Sequence, residues 1–169
     1  MDFVHISSST NSRYKLARSL LSRRGRKKQA QLLLEGVRLI KDSISAGFPP
    51  ALVFFDPGAS AEVRSFVERA HISGVQVLSL DAGLLAELTD TVTSQGVVAV
   101  APWPTILPGD SGLSVLVDNL RDPGNLGTLL RSAAAAGADQ VVMLPGVTDP
   151  WAPKVLRAGM GAHFRVAIR

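Results

Sequence analysis

From Leu113 to Pro145 the chain reads LSVLVDNLRDPGNLGTLLRSAAAAGADQVVMLP, and this stretch leaves few folds open. A short apolar run, Val115 to Val117, ends at Asp118 and Asn119, and Pro123 with Gly124 forces a turn. A Leu- and Ala-rich helical segment follows as far as Gly137, and a second apolar run starts at Val141. Two short apolar runs joined by a helix make a strand–helix–strand unit, whose strands lie parallel because the crossover is long enough. The turn falls at the carboxyl end of the first strand, where open α/β sheets place their ligands. Asn125 begins the helix, where its side chain either caps free backbone N–H groups or points into the crevice. Gly127 admits a second backbone or a ligand at close range, and Ala133 to Ala136 let the helix lie near the sheet.

Arg131 is the single charged residue between Asp122 and Asp139. An unpaired guanidinium buried in such a helix costs several kcal/mol, so it must meet a carboxylate, a phosphate or an open pocket. Spacing equally allows it to lie on the solvent face or to pair with Asp118 or Asp122. The turn lacks the lysine of a P-loop and the spacing of a dinucleotide fingerprint.

The same rhythm runs along the rest of the chain and gives an α/β class. QAQLLLEGVRLIKDSISAG places Leu33, Val37, Ile40 and Ile44 at helical spacing, with Gly47 at a helix end. PALVFFD, VQVLSL and GVVAVA read as strands, SAEVRSFVERAHISG as a helix capped by Ser60, and DAGLLAELTD as a short helix. PWPTILPGDSG, with three prolines and two glycines, reads as a linker over 102–112. Beyond it DPWAPKVLRAGMGA reads as a helix and HFRVAI as a strand. The expected division is a basic arm over 1–30, an α/β domain over 31–101, the linker, and a second α/β segment over 113–169. That last span is thin for a parallel sheet, which wants helices on both faces.

Charge distribution points to a partner. Arg13, Lys15, Arg18, Arg23, Arg24, Arg26, Lys27 and Lys28 fall together, with no Asp or Glu between Asp2 and Glu35. Such a block repels itself until it meets a polyanion, and nucleic-acid phosphate is the commonest. A solvated arm is the alternative; Tyr14 and the small polar residues among the charges favour nucleic acid. Lys154 and Arg157, three apart on a helix, are further phosphate contacts or a solvated face. Trp103 and Trp151 flank loops, as packing residues or as stacking platforms.

Other chemistries find little support. There are no cysteines, which excludes disulfides and thiolate metal sites and fits a cytoplasmic setting. His5, His71 and His163 show no metal spacing, and Ser7 to Ser9 have no base signature beside them. Strand-end and turn roles account for Asp118 and Asp122. No apolar run approaches the roughly 20 residues of a membrane span, and MDFVHISSSTNSR has no signal-peptide core.

DNLRDPGNLGTLLRSAAAAGAD resembles the first signature motif of the SpoU/TrmH class of RNA ribose 2′-O-methyltransferases, in the SPOUT superfamily with its trefoil-knotted α/β domain. Asp122, Pro123, Asn125, Gly127, Arg131, Ser132 and Ala133 match that pattern, and APKVLRAGMGAHFRV resembles the segment that follows it. LLLEGVRLIKDSISAG and TVTSQGVVAVA resemble the ends of the L30e-like substrate-binding domain that precedes the catalytic domain in rRNA-modifying members. The resemblance implies methyl transfer from S-adenosylmethionine to a ribose 2′-OH of structured RNA, rRNA foremost. Arg131 is then catalytic, Asn125 orients the arginine or the ribose, and a homodimer forms through the methyltransferase domain. It also places the cofactor-binding loops after Arg169, leaving the cofactor-binding residues unknown. The expectation is thus an incomplete methyltransferase segment, without its knot and inactive alone. Two other readings stand beside it: a non-catalytic RNA-binding protein with an L30e-like module, and a fragment that needs a partner to complete its sheet.

Overall fold

The computed structural model describes residues 3–91, 94–110 and 112–169. Met1 and Asp2 of the expected arm, Val92 and Thr93 of TVTSQG, and Ser111 of the expected linker lie outside the described residues. The chain divides into two compact units, Met1–Pro102 and Trp103–Arg169.

The first unit is a five-stranded mixed sheet with helices on both faces. Its elements are β1 (Val4–Ile6), α1 (Ser12–Ser19), α2 (Arg23–Gln29), β2 (Gln31–Glu35), α3 (Val37–Ser45), β3 (Leu52–Phe55), α4 (Ala61–Ile72), β4 (Gln76–Leu80), α5 (Ala82–Ala86) and β5 (Val97–Pro102). The strand order is β1-β4-β3-β5-β2. β1, β4 and β3 run parallel, and β5 runs antiparallel to both β3 and β2. Alternate strand residues turn to opposite faces. Leu33, Leu52, Phe54, Leu78, Leu80, Val98 and Val100 pack on one side with Tyr14, Ala17 and Leu20 of the α1 region and Leu85 of α5. Leu32, Leu34, Val53, Phe55, Val77, Val97 and Ala99 are buried on the other side, where α3 and α4 lie against the strands.

Two expectations change here. Residues 12–29 are not an arm: they fold as α1 and α2, and Tyr14 is fully buried in the core. The expected helix through Leu33 is a strand and then a helix, separated by Gly36 at φ 90°. A run of three leucines satisfies either period, and the left-handed glycine is what turns β2 into α3.

The second unit holds β6 (Ser114–Val117), α6 (Pro123–Ala135), β7 (Gln140–Met143), α7 (Pro153–Gly159), a 3-10 turn over Ala162–Phe164, and β8 (Ala167–Ile168). The sheet is parallel in the order β6-β7-β8, with Val115 opposite Val141 and Val141 opposite Ile168. In HFRVAI, His163 and Phe164 therefore end a 3-10 turn, and only Ala167 and Ile168 are strand. Leu126, Leu130 and Ala133 of α6 pack with Val117, Val141, Val155 and Val166. The expected linker is partly docked on this unit: the Trp103 ring lies 4.7 Å from that of Trp151, and Gly112 N donates to Asp139 Oδ2 at 2.8 Å.

Candidate RNA-facing and catalytic residues

Asp122 caps α6: its Oδ1 accepts from Asn125 N at 2.7 Å, and Pro123 occupies the first turn, where no N–H is missed. The cap is thus Asp122 rather than Asn125. Among the described residues, the exposed side chain of Asn125 has no hydrogen-bond partner. It is available to an outside group at the carboxyl end of β6. Close by, Asn119 takes a left-handed φ of 50°, and its Oδ1 accepts from Arg121 Nε at 3.2 Å.

Gly127 sets the geometry of the next turn. A Cβ there would lie 2.8 Å from the backbone of Ala158 and Gly159, so α6 and α7 touch backbone to backbone. The close crossing brings the end of α7 beside Arg131. Arg131 is exposed, and its Nη1 donates to Met160 Sδ at 3.0 Å. Asp118 and Asp122 do not pair with it. Exposure removes the burial penalty expected from the sequence, and the soft sulfur acceptor leaves the guanidinium's charge undiminished. Asn125 and Arg131 stand six residues apart on one helix, hence about 9 Å along the axis and roughly 120° around it. Among the described residues no hydrogen bond joins Asn125 to Arg131.

Below the crossing lies His163, fully buried, with Nε2 donating to Pro150 O at 2.8 Å. Its Nδ1 is then the unprotonated acceptor, and no described donor meets it. Burial pushes the imidazole pKa down from 6.5 to about 4, against a smaller opposing effect of the Pro150 carbonyl. The ring sits under Gly159, where a Cβ would lie 2.8 Å from Nδ1, and against Trp151 at 5.4 Å. Trp151 is buried, so it packs rather than offering a stacking surface. Lys154 is exposed on α7 and Arg157 is half-buried.

In the first unit the basic block divides. Arg13, Lys15, Arg18, Arg23, Arg24, Lys27 and Lys28 are exposed on α1 and α2. Arg18 reaches Glu87 at 3.4 Å. Arg26 is 3% exposed, and its Nη1 donates to Leu20 O and Leu21 O at 2.7 and 2.8 Å. It ties α2 to the end of α1 and is not an RNA contact. Gly25 allows the same elbow, since a Cβ there would run into the Ser19 carbonyl. Tyr14 likewise faces inward: its hydroxyl donates to Glu87 Oε2 at 2.9 Å, and burial with that carboxylate pushes its pKa up to about 12.

No group of His, Asp and Glu among the described residues is arranged to hold a metal ion. Beside β8, a cavity lined by Trp103, Thr105, Trp151, His163, Ile168 and Arg169 measures about 230 Å³.

Known proteins resemble this chain along most of its length. The model of the MRM3-like substrate binding domain matches residues 11–99, and that of the SpoU rRNA Methylase family matches residues 112–169. The chain is 42% identical over 156 residues to the Homo sapiens protein named rRNA methyltransferase 3, mitochondrial, covering 87% of this chain and 36% of that protein. It is 31% identical to the Bacillus subtilis 23S rRNA (guanosine(2553)-2'-O)-methyltransferase RlmP, covering 96% of this chain and 63% of the relative. The crystal structure of an AdoMet-bound rRNA methyltransferase from Sinorhizobium meliloti superposes with a TM-score of 0.77 at 28% identity, over 97% of this chain and 63% of that one. The chain thus spans about a third of the length of the mitochondrial relatives it matches. It belongs to the SpoU rRNA methylase family, with an MRM3-like substrate-binding domain ahead of its methylase segment.

Proposed function

We propose that the protein is an rRNA ribose 2′-O-methyltransferase using S-adenosylmethionine, with Arg131 acting on the acceptor oxygen. The observation that carries this reading is the exposed guanidinium of Arg131, held at a backbone-tight helix crossing by a neutral thioether. S-adenosylmethionine, when bound, supplies an electrophilic methyl group on a sulfonium. A fixed positive charge suits the other reactant: the ribose hydroxyl, whose oxygen becomes more negative as its proton leaves. A guanidinium is a poor base at its ordinary pKa, so Arg131 orients the hydroxyl and stabilises the developing oxyanion. The proton passes to water or to a nearby RNA phosphate. Asn125, with a side-chain carbonyl and amide unclaimed by the fold, holds the ribose or its neighbouring phosphate.

The exposed cations of α1 and α2 hold the RNA backbone in this reading, together with Lys154. A homodimer through the methylase segment belongs to the same proposal; sedimentation at micromolar concentration tests it.

The test is transfer of labelled methyl from S-adenosylmethionine to rRNA by the protein as encoded. Arg131→Ala should lower kcat by about a hundredfold or more, as for loss of an oxyanion donor. Wild-type turnover in that variant overturns the assignment. Binding to RNA with a steep salt dependence but no transfer supports a non-catalytic RNA-binding protein instead.

A further inference from the structure

We propose that Met160 is the positioning residue for Arg131, a role that rests on the catalytic reading of that arginine. Met160 follows α7 in a left-handed conformation, φ 45°, and its N–H donates to Arg157 O at 3.2 Å. Gly161 follows with φ 82°, so two successive residues turn the chain sharply at the end of the helix. Three contacts fix where that turn lies. Gly127 sets α6 directly on Ala158 and Gly159, the His163 ring occupies the space beside Gly159, and His163 is itself anchored to Pro150 O. The turn is thereby placed so that Sδ meets Arg131 Nη1 at 3.0 Å, across 29 positions of sequence.

The choice of sulfur has a chemical consequence. A carboxylate here would neutralise the guanidinium and raise the free energy needed to hand its N–H groups to a substrate oxygen. A thioether is a weak, uncharged acceptor. It restrains one nitrogen of the fork and leaves the full charge and the other N–H groups to the RNA. Without it, a long exposed arginine samples many rotamers, and that freedom must be lost again in every catalytic encounter.

Met160→Leu keeps the volume and the left-handed backbone but removes the acceptor, whereas Met160→Gln restores one through its amide oxygen. In the 169-residue chain, nitrogen-detected NMR of the Arg131 side chain should show restricted guanidinium rotation in the wild type and in Met160→Gln, and averaged signals in Met160→Leu. In the methyl-transfer assay, Met160→Leu should lose about tenfold in kcat, with KM for RNA unchanged. Met160→Gln should stay within about twofold of the wild type. A purely structural role predicts equal kcat in Leu and Gln variants of equal stability, and that result overturns the proposal. Identical Arg131 signals in all three proteins overturn it as well. If no form transfers methyl, the catalytic reading fails, yet the NMR comparison still decides whether Met160 holds the arginine.

Discussion

The first unit spreads its core over both faces of five strands, whereas the second packs three short parallel strands against α6 and α7 and leaves Leu116 of β6 66% exposed. Their use of charge differs in the same way. The first unit carries seven exposed cations on two helices and buries an eighth, Arg26, as an internal brace. The second places one exposed arginine at the point where two helices touch. A surface that reads phosphate by charge tolerates the loss of one member. A site that depends on one guanidinium needs the backbone around it fixed, and glycines supply that closeness.

The largest expected effect strikes at that closeness. Gly127→Val drives a branched side chain into the backbone of α7 and should cost more than about 3 kcal/mol. Thermal unfolding followed by calorimetry should then show the second unit melting early and the first unchanged. A single unaltered transition would mean that the crossing is looser than described.

Acid sharpens the contrast through His163. The unfolded chain takes up a proton near pH 6.5, but the buried imidazole resists until about pH 4. The stability of the second unit should therefore be complete above pH 6.5 and fall by about 3 kcal/mol as the pH drops through that window. Denaturant titrations at several pH values measure this. His163→Gln, which keeps a donor for Pro150 O, should flatten the slope.

Arg26→Met tests whether the first unit's brace is separate from its charge surface. Losing two charge-assisted hydrogen bonds should cost about 2 kcal/mol of stability. The slope of log affinity for RNA against log salt should stay unchanged, while Arg24→Ala should reduce it by somewhat under one. A reduced slope in Arg26→Met would make it a phosphate contact after all. The smallest effect belongs to Arg18→Ala, whose 3.4 Å pair with Glu87 is about half exposed and should contribute no more than about 0.5 kcal/mol.

Much of the second unit could be read from spacing, because strand, turn and helix each carry their own residue types there. Pro123 and Gly127 stand where a first turn and a close approach require them, whereas the cap fell to Asp122 and not to Asn125. Ser60 capping α4 was equally legible. What resisted reading depended on long-range partners. β1 has three residues, too few to show alternation, and it exists because it pairs with β4 more than seventy positions away. Arg26 sits in a basic run like its neighbours, and its burial follows from the elbow that Gly25 permits. Gly25 within RRGRKK was the available signal, since a glycine inside a short helix marks a close contact. Met160 offered none: its importance arises from where α7 ends relative to α6.

The sheet of the first unit also sets an order of events during synthesis. β2 finds its neighbour only in β5, with Glu35 opposite Val98 and Gln31 opposite Pro102. Roughly 60 residues must leave the ribosome between the two strands, which takes about 3 to 12 s at ordinary elongation rates. Through that interval Leu32, Leu33 and Leu34 have no strand partner, and β3 lacks its antiparallel neighbour. The last strand made is the one that joins the parallel half of the sheet to β2, so the nascent domain passes through a window in which chaperone capture or mispairing competes with folding.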